Sequence, residues 1–276
     1  MRTCFLAVII AALVLALVDW CPAVGLRVAT FNIENGLEAP GTTGHDAVLT
    51  VLTRLDADVI ALQEVRSGDL GGSPSHLDHL AGALAADLSW EGHHLHVPTT
   101  SGVLDSSART VIISRYPISS AADIGPPPGA KDMARKMPAV VVDVPGTPHD
   151  PTIIATHLKC CYADDDHFRR AVEMHRLSRH LSSAGLTPSG NLIILGDFNL
   201  IGYEHTITRA DYDSFSGLLP TTYALGSDVT FPIDYHVEPG AFLTGMPMIQ
   251  LDSRQTTGSD NTQGSNTLDY ILASPA

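Results

Sequence analysis

The stretch Asn191–Leu200, reading Asn-Leu-Ile-Ile-Leu-Gly-Asp-Phe-Asn-Leu, brings a carboxylate and an amide to the end of an apolar run. Leu192–Leu195 has the length and branching of a strand buried on both faces, and Gly196 is expected to stop it where the backbone turns. Asp197 and Asn199 lie one residue apart, so a two-residue period puts both side chains on one side. Asp and Asn also favour turns for purely local reasons, so the pair gains weight only through groups elsewhere. Asn32, Glu64, His157 and Asp269 stand at other strand-like runs. A lone Glu after a strand is ordinarily a surface carboxylate. Several carboxylates gathered at one place would instead suit a divalent cation.

The elements that must position these groups alternate along the chain. Leu26–Ile33 reads as a strand ending in Asn32 and Glu34 before an Asn35-Gly36 turn. Val48, Val51, Leu52 and Leu55 repeat at helical spacing and predict an amphipathic helix over 45–56. Asp58–Ala61 is the next buried strand, with Gln63-Glu64 at its end, followed by a Gly-rich loop over Ser67–Ser75 and a helix over Leu77–Leu88. His76, His79, His93, His94 and His96 crowd this region without a carboxylate pattern beside them. One turn of helix and a histidine-rich strand edge account for them better than a metal site. Arg109–Ser114 reads as a strand, Pro117 starts the next element, and Gly125–Gly129 is a proline-rich loop.

Pro138–Val144 and Thr152–Thr156 are β-branched runs joined by a turn-rich segment, which predicts a hairpin delivering His157. Asp164, Asp165 and Asp166 open a helix to about Ser182. Capping and the helix dipole explain this acidic run more simply than a calcium site. Beyond Asn199, Tyr203–Gly217 reads as a short helix, Thr230–Phe231 as a strand and Thr256–Ser265 as a polar loop. Thr267–Ala273 is a strand carrying Asp269.

Residues 1–25 have the layout of a secretory signal: Arg2, an apolar run over Phe5–Val18, then small residues at Ala23 and Gly25. The run is short for a membrane span, which takes about 20 apolar residues. Export is therefore expected, with residues 26–276 as one domain and no stable membrane association after cleavage. Removing the leader would leave only Cys160 and Cys161 of the four cysteines, so no disulfide framework forms and a large core must carry stability. The adjacent pair could close a strained vicinal disulfide or stay as free thiols. It lacks the two-residue spacer of dithiol redox proteins. The net charge of −14 argues against a broad basic face for nucleic acid. It leaves room for an enzyme that meets a phosphate through a metal ion and a few cations.

Taken together, Thr30-Phe31-Asn32-Ile33, Leu62-Gln63-Glu64-Val65, Ser114-Arg115-Tyr116-Pro117, Thr156-His157-Leu158, Gly196-Asp197-Phe198-Asn199 and Leu268-Asp269-Tyr270-Ile271-Leu272 resemble the endonuclease/exonuclease/phosphatase superfamily. The resemblance runs from Leu26 to the last residue. It implies an α/β fold, a four-layer α/β sandwich of two packed mixed sheets flanked by helices. It also implies a metal-dependent attack of water on a phosphate ester, most simply by a nuclease. Glu64 would hold Mg²⁺, with Mn²⁺ or Ca²⁺ as alternatives, and Asn32 would support that ligand or a second cation position. Asp197 would orient and deprotonate the water, while His157 and Asn199 would hold phosphoryl oxygens. Such donors are worth roughly 2.7–4 kcal/mol each.

In family members a Ser-Asp-His segment follows the strand matching Asp269, whose carboxylate orients that His. This sequence ends at Ala276, so the last strand is expected to be missing and Asp269 to lack that partner. Ser259-Asp260-Asn261 precedes Asp269 and has no His, so it is no replacement. The expected partner is a phosphate-ester substrate, with nucleic acid as one candidate and no protein partner. Val65, Arg66 and Ser67 after Glu64 offer no ring for base stacking. Two alternatives stand beside the nuclease reading: a phosphatase or sphingomyelinase-like lipid phosphodiesterase, and a truncated, non-catalytic binding protein of the same fold.

Overall fold

The structure is a computed structural model that describes residues 25–99, 108–126, 133, 135–161, 163–186, 190–199, 206–208, 234–236, 248–250 and 269–274. The expected leader, save Gly25, lies outside the described residues, as do Thr230–Phe231 and Thr256–Ser265. Strand β1 (Val28–Asn32) is followed by helix α1 (Thr43–Leu55) and strand β2 (Val59–Arg66), which pairs with β1 in parallel. Helix α2 (His76–Asp87) begins at a reciprocal cap: Ser75 Oγ accepts from the Asp78 N–H at 3.1 Å and the Asp78 carboxylate accepts from the Ser75 N–H at 2.9 Å. Strands β3 (His94–His96) and β4 (Ala108–Ser114) complete a four-stranded mixed sheet in the order β1-β2-β4-β3.

The second sheet is built from β5 (Ile118–Ile124), β6 (Met137–Val142), β7 (Thr152–His157) and β8 (Leu192–Asp197). Helix α3 (Asp164–Ser183) crosses between β7 and β8, which are parallel. A short ribbon pairs β9 (Thr206–Thr208) with β10 (Asp234–His236). The six-stranded sheet is finished by β11 (Ile249–Gln250) and β12 (Asp269–Ala273), in the order β11-β12-β8-β7-β6-β5. Strand β12 therefore lies inside the sheet, between β11 and β8.

Strand alternation sorts the apolar side chains into layers. On β2, Ile60 and Leu62 pack under α1 and α2 with Leu52, Leu77, Leu80 and Leu84. Val59 and Ala61 face the other way and meet Val140, Ile153, Ala155 and Leu195 of the second sheet. On that sheet Ile154 and Ile194 face α3, against Leu177 and Leu181. Helices, sheet, sheet and helix follow one another, which is the expected four-layer sandwich.

Several expectations need correction. Gly196 does not stop its strand: β8 runs through it to Asp197. Its role is close approach, because a Cβ at its φ of +147° would stand 2.1 Å from the Thr156 carbonyl oxygen of β7. Strand β2 extends past Ala61 to Arg66, so Glu64 lies inside a strand rather than after one. The Ser67–Ser75 segment opens with a 3-10 turn at Ser67–Leu70. Within the predicted Tyr203–Gly217 helix, Thr206–Thr208 is a strand and the rest lies outside the described residues. Three consecutive β-branched residues suit a ladder better than a helix. One histidine of the 76–96 cluster does have a hydrogen-bonded carboxylate partner, His96, whose Nε2 lies 2.9 Å from Asp123, while His76 Nδ1 stands 3.7 Å from Asp69, beyond hydrogen-bonding distance.

Candidate active site

Both sheets bring polar groups to the same end of the sandwich. On β2 the ladder to β4 jumps from Leu62↔Val111 to Val65↔Arg109, so Gln63 and Glu64 form a bulge. Glu64 has φ +67°, a conformation a β-branched or apolar strand residue avoids, and the bulge turns its carboxylate toward β1. There Asn32 Nδ2 donates to Glu64 Oε1 at 3.4 Å, and the Asn35 N–H donates to Oε2 at 3.0 Å. Arg66, two residues on and on the same side, donates to Oε2 at 3.3 Å. Tight packing shapes this corner, since a Cβ on Gly36 at φ +92° would meet the Arg66 side chain at 2.4 Å.

On the second sheet, register aligns three residues in one row across neighbouring strands. His157 of β7 pairs with Asp197 of β8, and Asp197 pairs with Asp269 of β12. Paired positions present their side chains to the same face of a sheet. The two sheets are joined at this point by Asn32, whose Nδ2 also donates to Asp197 Oδ2 at 3.0 Å. One amide thus ties a carboxylate of each sheet together. Asn199 turns back at φ +51° and its N–H donates to Asp197 Oδ1 at 2.8 Å. Asp197 and Asn199 converge as expected, through a turn rather than strand periodicity. The Asn199 amide nitrogen also donates to the Leu158 carbonyl at 2.9 Å, which fixes its orientation.

The electrostatics follow from this burial. Asp197 is 5% exposed and among the described residues accepts only from amide donors, so burial holds its carboxyl above the ordinary range. Glu64 pushes the same way; the Asn32 and Asn199 donors and the Arg135 charge oppose it. His157 is equally buried, and burial together with the Arg135 and Arg66 charges keeps its ring neutral well below the ordinary histidine value. Its Nε2 stands 3.7 Å from Asp197 Oδ2, beyond hydrogen-bonding distance, and its Nδ1 is buried without a hydrogen-bond partner. A neutral imidazole can offer one N–H to an anion in the cleft.

Arg66 and Arg135 were not singled out from the sequence. Arg135 Nη1 donates to the carbonyls of His157 and Leu158 at 3.4 and 3.3 Å. The available signal was scarcity: with only 16 basic residues in the chain, one placed two residues after Glu64 and one just before β6 are informative. The donor set suits a hard cation in type. Glu64 contributes a partly exposed carboxylate at the seam between the sheets. Among the described residues no group of three His, Cys, Asp or Glu converges on one point. A cation that keeps several waters and takes one or two carboxylates needs no such cage.

The endonuclease/exonuclease/phosphatase family model matches residues 29–276. Solved structures share the fold. An endonuclease/exonuclease/phosphatase from Beutenbergia cavernae aligns at 22% identity and TM-score 0.57, covering 91% of this chain and 64% of that one. The human Nocturnin catalytic domain with bound sulfate anion aligns at 18% identity and TM-score 0.53, covering 90% of this chain and 82% of that one. TDP2 from C. elegans aligns at 15% identity and TM-score 0.51, covering 91% of this chain and 65% of that one. This chain thus spans slightly under two thirds of the first and the last of these proteins. No curated protein matches the sequence.

Proposed function

The chain belongs to the endonuclease/exonuclease/phosphatase family, and from that premise we propose that it is an exported Mg²⁺-dependent phosphodiesterase, acting as a nuclease. Family members hydrolyse phosphate esters and typically use divalent metals. The observation that carries the proposal is the Asn32 amide joining Glu64 of one sheet to Asp197 of the other. Glu64 would hold the cation, and Asn32, which presents its nitrogen to both carboxylates, would support that ligand. A bound cation would supply charge to neutralise the phosphate and stabilise the leaving oxygen.

The chain's own groups do the rest. Asp197 accepts the proton of the attacking water at one carboxylate oxygen while the Asn199 N–H keeps the other in place. Its raised proton affinity makes it a stronger base than an exposed aspartate. His157 donates from its neutral ring to a phosphoryl oxygen, and Asn199, anchored on Leu158, directs its remaining amide proton the same way. Asp269 stands beside Asp197 in register, which places it in the same row of the second sheet as the proposed base. The basic groups at this end, Arg66 and Arg135, supply charge without a broad basic face, so an acidic protein can still hold one phosphate.

The test is hydrolysis by the full chain of plasmid DNA, RNA, sphingomyelin and a generic phosphodiester, each with Mg²⁺ and with chelator. Metal-dependent cleavage of DNA or RNA supports the nuclease reading. Cleavage of sphingomyelin alone moves the assignment to a lipid phosphodiesterase. No hydrolysis of any substrate by folded protein supports the non-catalytic alternative.

A further inference from the structure

After His157 the chain runs through Leu158–Cys161 before α3 begins at Asp164. This short turn is clamped from below by side chains of α3. Arg170, 1% exposed, donates from Nη1 to the carbonyls of Lys159 at 2.7 Å and Cys161 at 2.9 Å. Glu173, also 1% exposed, accepts the Lys159 N–H at 2.8 Å. Lys159 Nζ donates to the Cys160 carbonyl at 3.0 Å and pairs with Asp166 at 3.0 Å. Burying an arginine and a glutamate to hold a surface turn is costly unless the pairing is complete, and here it fixes the backbone on both sides of Cys160.

The clamp has a chemical consequence. Cys161 is held at φ +84°, a left-handed conformation that a non-glycine residue adopts only when its surroundings impose it. In that conformation the two free thiols face each other, with Sγ 2.8 Å from Sγ. Cys161 is exposed and Cys160 is half-buried beside Lys159, whose Nζ lies 3.5 Å from its sulfur. No step of the hydrolysis uses either thiol.

We propose that Cys160 and Cys161 form a two-electron redox site that closes to a vicinal disulfide by exchange with a low-molecular-weight disulfide such as glutathione disulfide. The exposed Cys161 loses its proton and attacks one glutathione sulfur; the glutathione S–S bond breaks and one glutathione leaves as a thiolate that takes up a proton. Cys160 then loses its proton and attacks the Cys161 sulfur, the protein S–S bond forms, and the second glutathione leaves and is protonated. Two protein thiols are oxidised and one glutathione disulfide is reduced to two thiols.

Adjacent Cα atoms are about 3.8 Å apart, below the usual bridge span of about 4.4–6.8 Å. The ring is therefore strained and readily reduced again, the behaviour of a labile rather than a structural disulfide. The clamp makes closure attainable by setting the left-handed turn before the bond forms. This inference rests on the turn alone and is independent of the hydrolytic reading.

The full chain is reduced, freed of reductant and equilibrated with graded ratios of glutathione disulfide to glutathione. After an acid quench, remaining thiols are alkylated and the tryptic peptide from Cys160 to Arg169 is weighed. The expected peptide lacks two hydrogen masses and carries neither alkyl group nor glutathione. Half-conversion is expected at a ratio about tenfold or more lower in folded protein than in protein unfolded in urea. In Cys160→Ser the same peptide is expected to keep one glutathione on Cys161. A folded wild-type peptide that stays doubly alkylated or retains glutathione, or equal conversion with and without urea, overturns the proposal.

Discussion

Two buried aspartates at opposite ends of the sandwich show how the same residue serves different ends. Asp58, 3% exposed, lies just before β2 and accepts from the Arg27 N–H at 2.8 Å and from Arg115 Nη1 at 2.8 Å. Two guanidinium groups face it, and the Arg115 group is held above its ordinary proton affinity chiefly by its hydrogen bond to Asp58. Asp197, 5% exposed, ends β8 and among the described residues accepts from amides alone. Similar burial therefore comes with different partners: cations face Asp58, while Asp197 has neutral donors and burial raises its proton affinity. A carboxylate matched by cations is a fixture of the fold, while one left with neutral donors is kept hungry for a proton.

The largest effect expected is on the catalytic side. Glu64→Ala should lower metal-dependent turnover by roughly 10²–10³-fold, in the range of other lost charge-stabilising groups. Its side chain is partly exposed and lies at a bulge, so the thermal midpoint should scarcely move. Initial rates across a Mg²⁺ titration check both, and unchanged turnover would remove Glu64 from the ligand set.

Asp58→Asn is the converse. It should cost about 1–3 kcal/mol in denaturant unfolding, because a buried pair is broken while its partly exposed arginines recover some hydration. Turnover per folded molecule should hold. A fall in turnover without a fall in stability would erase the contrast between the two ends.

The smallest effect is a pH dependence. His157 has a folded-state proton affinity well below its ordinary value, mainly from burial. Such a group contributes stability above about pH 6.5 that is lost as the pH falls toward the depressed value, since the unfolded chain then binds the extra proton. The loss from one such group is at most about 1.4 kcal/mol per pH unit. His157→Gln should flatten that acid limb in thermal unfolding measured from neutral to mildly acidic pH.

Much of this was legible in the sequence because it depended on local pattern. The apolar run at Leu192–Leu195, the helical spacing of Val48 to Leu55 and the hairpin leading to His157 all formed where the local pattern put them, and the strand expected at Asp58–Ala61 formed one residue later and ran on to Arg66. The convergence of Asn32, Glu64, His157, Asp197, Asn199 and Asp269 at one end follows from strand order and register. Less legible were features that arise only between elements. Gly196 looks like a terminator until β7 is placed beside it. The bulge that aims Glu64 exists only in the β2–β4 ladder. Arg135 reaches the site through carbonyls 22 and 23 residues away, which no local pattern encodes.

The most direct test is the Mg²⁺-dependent cleavage rate of Asp197→Asn against the unaltered chain, on the same phosphodiester and with thermal unfolding recorded on the same samples. A rate lower by about 10²–10⁴-fold in protein that unfolds at the same or a higher temperature is the predicted result, since the amide keeps the shape and removes both the base and a buried charge. A variant that cleaves at the original rate, or that loses its rate only because it no longer folds, would contradict the assignment of Asp197 as the base.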